Sequence, residues 1–227
     1  MNIIVTGGSS GIGREVVLLL SKDKKNKIFT LSRRDFLIPP GIQNIRSLRF
    51  DLEKGDFQKQ LLPETKKHFD SVDVLINNAG MLINKPFAGI QEDEWQSIIN
   101  INLLAPVRLI RLLLPYMGKK SRSHILNIGS IGGIQGSIKY KGLSAYSTSK
   151  GALSVLTECL AEEFNDRNIA VNCLALGAVQ TEMLAKAFPG YSAQTDAKTI
   201  AEFISNFATS GHLYMNGKVI PVSMSNP

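Results

Sequence analysis

Three features predict one α/β domain over residues 1–227: a doubly wound parallel sheet of about seven strands with helices on both faces. Short apolar runs alternate with amphipathic ones from the first residue to about Val222. Those runs are continuous rather than alternating, as in Val72-Asp73-Val74-Leu75-Ile76, which suits strands covered on both faces. No linker, repeat or low-complexity stretch divides the 227 residues, and 44% hydrophobic content is enough for one large core.

The first strand is Ile3 to Thr6, and the glycine-rich stretch Gly7 to Gly13 turns it into a helix from about Ile12 to Ser21. Further strands follow at Lys27 to Ser32, Ile45 to Phe50, Val72 to Asn77, His124 to Gly129, Ile169 to Ala175 and Lys218 to Val222. Helices fill the gaps, with long apolar faces around 91–117 and 146–166 that suit a homodimer or homotetramer. In such sheets ligands bind beyond the carboxyl ends of the strands.

Composition narrows the function classes. The N-terminus has no basic region followed by a long apolar stretch, so neither a signal peptide nor a membrane anchor is expected. The apolar-rich segment Ile98 to Met117 is interrupted by Asn100, Asn102, Pro106, Arg108 and Arg111, which are costly in lipid. Cys159 and Cys173 lack CxxC spacing and read as buried, reduced thiols in a cytoplasmic protein. His68, His124 and His212 have no metal-ligand spacing, so no metal is expected. The net charge of +7 reads mainly as a Lys-rich surface. Its clusters at Lys22 to Lys27 and Lys119 to Arg122 fall at helix ends and lack the interleaved aromatics of a nucleic-acid surface.

Gly7, Gly11 and Gly13 follow a strand and open a helix, so backbone N–H groups at a positive helix end can meet a pyrophosphate. The spacing is GxxxGxG rather than GxGxxG. Ser32 and Arg33 stand nineteen and twenty residues beyond Gly13, where an NAD site places a carboxylate for the ribose 2′-hydroxyl. A hydroxyl followed by Arg33 and Arg34 suits a 2′-phosphate instead, favouring NADP(H) over NAD(H). Asp51 is placed to accept from the adenine amino group and Asn78-Ala79-Gly80 to pass beside the adenosine ribose; turn chemistry accounts for the same residues equally well.

Tyr146 and Lys150 are four residues apart at the start of a helix, hence on one face, and a neighbouring cation favours phenolate. The spacing itself recurs at Tyr116–Lys120 and Tyr214–Lys218, but only Tyr146 has a strand end carrying Gly129-Ser130 upstream. Ser130 is placed to hydrogen-bond a carbonyl oxygen beside Tyr146.

In Thr6-Gly7-Gly8-Ser9-Ser10-Gly11-Ile12-Gly13, Asn77-Asn78-Ala79-Gly80, Asn102, Ser130, Tyr146 and Lys150, in that order, the chain resembles the short-chain dehydrogenase/reductase family, with its Rossmann-like fold, and in particular 3-oxoacyl reductases. The resemblance implies an oxidoreductase moving a hydride between NADP(H) and a small carbonyl or alcohol. Tyr146 is then the general acid/base and Ser130 the carbonyl polariser. Lys150 holds the nicotinamide ribose and lowers the tyrosine's pKa, and Asn102 completes a water-linked proton relay. Cofactor contacts are implied for Gly7, Ser9, Ser10, Gly11, Ile12, Gly13, Ser32, Arg33, Asp51, Leu52, Asn78, Ala79, Gly80, Tyr146, Lys150, Gly177, Val179 and Thr181. Thr181 also suits a helix cap.

The chain departs from the family pattern in carrying Leu176-Gly177 for Pro-Gly and in lacking Asp-Gly-Gly after the last strand. Glu182 to Asp196 resembles a short substrate lid, and Lys139, Tyr140 and Lys141 are expected at the site mouth, where they would meet an anionic substrate. A non-catalytic NADP(H)-binding regulator is the competing reading. It predicts erosion of the Ser, Tyr or Lys set, and none is eroded.

Overall fold

The computed structural model describes residues 1–224, and the sequence's Ser225-Asn226-Pro227 lie outside the described residues. The chain runs β1 (Asn2–Thr6), α1 (Gly11–Leu20), β2 (Lys27–Ser32), β3 (Ile45–Arg49), α2 (Leu62–His68), β4 (Val74–Asn77), α3 (Glu92–Ile99) and α4 (Ala105–Leu113). It continues through β5 (Ser123–Ser130), α5 (Ser144–Glu163), β6 (Ile169–Leu176), β7 (Val179–Gln180), α6 (Glu182–Ala187), β8 (Thr195–Asp196), α7 (Ala197–Ser210) and β9 (Val219–Val222). Seven strands form a parallel sheet in the order β3-β2-β1-β4-β5-β6-β9, while β7 and β8 pair separately. Each of the seven expected strands is present. The order reverses between β1 and β4, which opens a crevice at their carboxyl ends.

The two faces follow from the period of a strand. Along β1, Ile3 and Val5 pack with Val16 and Val17 of α1 and Ile200 and Ile204 of α7. Ile4 points the other way, into a cluster with Leu109, Leu113 and Ala161. A smaller cluster of Ile90, Ile98 and Ala145 seats α3 against the start of α5. Pro221 is tolerated because β9 is an edge strand.

The segment Glu92–Tyr116 is long and apolar enough to cross a membrane by length and composition, and half of its most apolar window is buried inside the fold. It is not one regular helix. Between α3 and α4 a π-helical turn, Asn100–Leu104, widens the coil and brings Asn102 fully inward.

Two expectations about side chains change. Cys159 is exposed, because it lies on the outer face of α5, whereas Cys173 in β6 is buried. The histidines are not all apart: His124 and His212 have ring centroids 5.3 Å from each other. Among the described residues no three His, Cys, Asp or Glu side chains form a group able to hold a metal.

His124 is fully buried in β5, with Nδ1 2.9 Å from the Ala208 carbonyl and Nε2 3.1 Å from the Asn172 amide nitrogen. These partners fix the neutral tautomer, with Nδ1–H donating and Nε2 accepting. Burial, partly opposed by the bond to Ala208, lowers its pKa from 6.5 to about 4. Folding therefore favours the uncharged ring, so its stabilisation is complete above pH 6.5 and is lost as pH falls towards about 4. The loss amounts to about 3 kcal/mol. Denaturant unfolding between pH 7 and 4 should show wild type losing stability more steeply than His124→Asn, by up to one proton per molecule; equal slopes would refute the assignment.

Candidate active site

One cleft of about 750 Å³ opens at the carboxyl ends of β1, β4 and β5. At one end lies the turn from β1 into α1, where Gly7 and Gly11 have positive φ. A Cβ on Gly13 would stand 2.3 Å from the Gly7 carbonyl oxygen, so only glycine permits this approach. Ser10 is the N-cap of α1 but makes no side-chain cap bond, and the first turn holds no acid. The helix thus presents uncapped backbone donors and an unopposed positive end to the cleft, which fits a dinucleotide's pyrophosphate.

The loop after β4 is locked to this turn. The Thr6 hydroxyl accepts from the backbone N–H groups of Asn78 and Ala79, both at 3.0 Å. The Asn78 amide nitrogen donates to the carbonyl oxygens of Thr6 at 2.9 Å and Gly7 at 3.4 Å. Asn78 lines the cleft, yet its amide hydrogens serve this clasp. Asp51 likewise lines the cleft while one carboxylate oxygen accepts from Glu53 N at 2.8 Å, the turn chemistry the sequence left open.

At the end of β2, Ser32 departs from its expected role. Its hydroxyl donates to the Arg34 carbonyl at 2.6 Å, so its proton shapes the turn and is not free for a phosphate. Arg33 lines the cleft, and its carbonyl is held by Arg49 Nε at 3.1 Å. Arg34, read with Arg33 as suiting a 2′-phosphate, reaches over the glycine turn to Ser10 Oγ at 3.3 Å and to Glu182 at 3.6 Å.

The opposite end of the cleft holds Ser130, Tyr146 and Lys150. Tyr146 and Lys150 lie one turn apart on α5, with Lys150 Nζ 6.0 Å from the centre of the tyrosine ring. Ser130 ends β5, where its hydroxyl accepts from Gly132 N at 3.3 Å and acts on the Tyr146 phenol from the same side of the cleft. Gly133 makes this meeting possible: a Cβ there would lie 2.7 Å from Gly151 N, so the turn after Ser130 presses directly on the α5 backbone.

The electrostatics correct an expectation. Burial raises the Tyr146 pKa above its ordinary value, with the Ser130 hydroxyl opposing it, so the net shift is upward rather than downward. The Lys150 ammonium donates to the Ile128 carbonyl at 2.8 Å rather than to the phenol. Burial pulls Lys150 itself down to about 8.

Asn102 alone among the expected catalytic and cofactor-contacting residues does not line the cleft. Its Oδ1 accepts from Met81 N at 2.7 Å, and its amide donates to Met81 O and Ser149 Oγ, both at 2.9 Å. All its side-chain capacity for donation is spent on joining the loop after β4 to α5, so its side chain positions these elements rather than facing the cleft.

Ser9, Ser10, Ile12, Leu52, Ala79, Gly80, Gly177, Val179 and Thr181 all line the cleft. Thr181 also caps α6, its hydroxyl accepting from Leu184 N at 3.3 Å. The lid region is a short helix, α6, with Leu184 and Ala187 buried and with Met183, Lys186 and Phe188 along the cleft.

The loop lysines correct a second expectation. Lys139 donates to the Ile134 carbonyl at 2.5 Å and to Ser137 Oγ at 2.6 Å, and it lines a neighbouring hollow with Lys141; only Tyr140 of this trio also reaches the cleft. The two other Tyr/Lys pairs are remote: Tyr116 packs under Lys66, and Tyr214 is 83% exposed.

Relatives and solved structures resemble this chain over most of its length. An uncharacterized oxidoreductase of Staphylococcus saprophyticus is 33% identical over 187 residues, covering 80% of this chain and 75% of that one. The 3-oxoacyl-[acyl-carrier-protein] reductase FabG of Thermotoga maritima is 27% identical over 238 residues, covering 96% of this chain and 94% of its own length. Among solved structures, ElxO with NADP bound superposes with a TM-score of 0.83 at 26% identity, covering 98% of this chain and 96% of that one. A 4-hydroxyisoleucine dehydrogenase mutant complexed with NADH and succinate shares the fold, with a TM-score of 0.86 at 24% identity over 98% of this chain and 97% of that one. The family model for short chain dehydrogenase matches residues 1–192, and the chain belongs to that family of oxidoreductases.

Proposed function

We propose that this protein is an NADP(H)-dependent oxidoreductase that interconverts a small carbonyl compound and its alcohol. The observation that carries the reading is the meeting of Ser130, Tyr146 and Lys150 in the same cleft as an uncapped glycine-rich helix end. When bound, the dinucleotide supplies the hydride for reduction and takes it up in oxidation.

The chain's own groups handle the oxygen and its proton. Ser130 donates to the carbonyl oxygen and polarises the bond. Tyr146 gives that oxygen its proton in reduction and removes it in oxidation. A raised pKa keeps the phenol protonated in the free enzyme, ready to act as the acid. Lys150 has two ammonium hydrogens beyond the one given to Ile128 O, and these are its means of holding the ribose hydroxyls of the nicotinamide half. Its cation, brought into line by cofactor contacts, then favours phenolate during proton transfer.

Arg33 and Arg34 at the end of β2 support NADP(H), because they stand where an NAD site places its carboxylate; Asp35 comes one position late for that role and does not line the cleft, though it keeps NAD(H) open. The two unpaired cysteines suit a reducing, cytoplasmic setting, and exposed apolar side chains on α5 and α7, such as Val155 and Phe203, suit a homo-oligomer. Sensing of NADP(H) without turnover is disfavoured by the intact Ser130, Tyr146 and Lys150 set.

A panel of ketones, aldehydes and alcohols followed by NADPH and NADH absorbance tests the reaction. Tyr146→Phe should lower kcat by roughly a thousandfold while leaving the NADPH Kd within twofold, since loss of a general acid removes about 10²–10⁴ in rate. Unchanged turnover in this variant would sink the mechanism.

Cofactor choice has a separate test. Arg33→Ala should weaken NADPH binding by about tenfold or more, as expected for a charge-assisted contact, and leave NADH binding nearly constant. Equal weakening of the two, measured by fluorescence titration, would overturn the 2′-phosphate assignment.

A further inference from the structure

Lid helix α6 is clasped to the body at two points, and the second is explained by nothing in the oxidoreductase reading. At its start, Glu182 meets Arg34. At its end, the side chain of Asn84, 103 residues earlier in the chain, donates from Nδ2 to the Ala187 carbonyl at 2.6 Å. Ala187 is the last residue of α6, where carbonyls lack helical partners, so Asn84 serves as an external cap.

The same residue touches the third wall of the cleft. Gly142 has φ +85°, and a Cβ there would stand 1.9 Å from Asn84 Oδ1. Next to it, Lys85 N donates to the Gly142 carbonyl at 3.1 Å. Gly142 immediately precedes Leu143, a cleft residue, and the helix carrying Tyr146 begins one residue later. Asn84 is thereby the junction of three segments that frame the proton-transfer end: the loop after β4, the loop entering α5, and the lid. It does not itself line the cleft.

We propose that Asn84 is a positioning residue for the reaction, seating the C-terminal end of α6 so that Lys186 and Phe188 close the substrate end of the cleft. The inference rests on the oxidoreductase reading for what the closed cleft does, but the seating itself is a property of the chain alone. Cofactor contacts at the glycine turn and β2 lie at the other end and are not expected to depend on it.

Lys186 is exposed and provides a reporter. Trypsin reaches the Lys186–Ala187 bond only when α6 opens, whereas Lys119 and Lys120, in an exposed segment far along the chain, report general susceptibility. In Asn84→Ala, cleavage after Lys186 should accelerate about fivefold with cleavage after Lys119 and Lys120 unchanged, and the NADPH Kd should stay within twofold. On the best carbonyl from the panel, KM should rise about fivefold with kcat nearly constant. Asn84→Asp, which keeps the shape and replaces the amide donor with an acceptor facing Ala187 O, should behave alike; Asn84→Gln should restore part of the seating.

Cleavage after Lys186 at the wild-type rate in both the Ala and Asp variants would overturn the proposal, as would acceleration at all three lysines together. A wild-type protein that turns over no carbonyl would instead overturn the oxidoreductase reading, whatever the Lys186 rate shows.

Discussion

The hydrogen bonds between Thr6 and the Asn78-Ala79 backbone are the constraint on which the cleft depends. Parallel strands joined by helices have no turn to hold their carboxyl ends together, so the crevice between β1 and β4 needs a tie. Thr6 supplies it with one hydroxyl that accepts two backbone donors, and Asn78 returns two bonds to the carbonyls of Thr6 and Gly7. The close packing this requires is why Gly13 cannot carry a Cβ: one would meet Asn78 Nδ2 at 2.4 Å as well as Gly7 O. The glycine turn is shaped as much by the neighbouring strand end as by the phosphates it fits.

A second tie orients the helix that carries Tyr146 and Lys150. Asn77 donates to Asn127 at 2.8 Å, Asn127 donates to Thr157 at 2.9 Å, and Thr157 donates to the Leu153 carbonyl at 2.8 Å. This buried chain links β4 and β5 to α5, and polar groups so placed fix one rotation of the helix because slipping would leave them unpaired. Lys150 obeys the same logic. An ammonium this buried is costly without a partner, and the Ile128 carbonyl provides one. The resulting geometry holds the cation near Tyr146 without pairing it to the phenol, which leaves the tyrosine protonated until other groups enter the cleft.

The fold was legible because continuous apolar strands and a 3.6-residue helical period survive in any single sequence. The site was legible where backbone chemistry leaves a residue mark, as with Gly7, Gly11 and Gly13, or where two motifs end adjacent elements, as with Ser130 and Tyr146. Other features leave no such mark. The π turn at Asn100–Leu104 has the same apolar pattern as an α-helix, and its register depends on bonds between Asn102 and Met81 across the fold. Cys159 and Lys139 were misplaced because exposure on α5 and self-capping of a loop are decided by helix rotation and loop closure. Asn84 acts through a partner 103 residues away, and the Glu182 partner of Arg34 is 148 residues away, so no local window contains either contact.

The two long-range partners also divide the cleft into ends with different physics. Arg34 and Glu182 are exposed, and an ion pair at 3.6 Å in water is worth under about 1 kcal/mol, so it yields readily to a competing anion such as a 2′-phosphate. Asn84 makes a neutral bond to a helix-end carbonyl that screening by salt does not weaken in the same way. The helix between them therefore has a yielding attachment at the cofactor end and a steadier one at the substrate end. Lys186 and Phe188, at the Asn84 end of this helix, line the same cleft as Ser130 and Tyr146, so the steadier attachment is the one that sets that wall of the cleft.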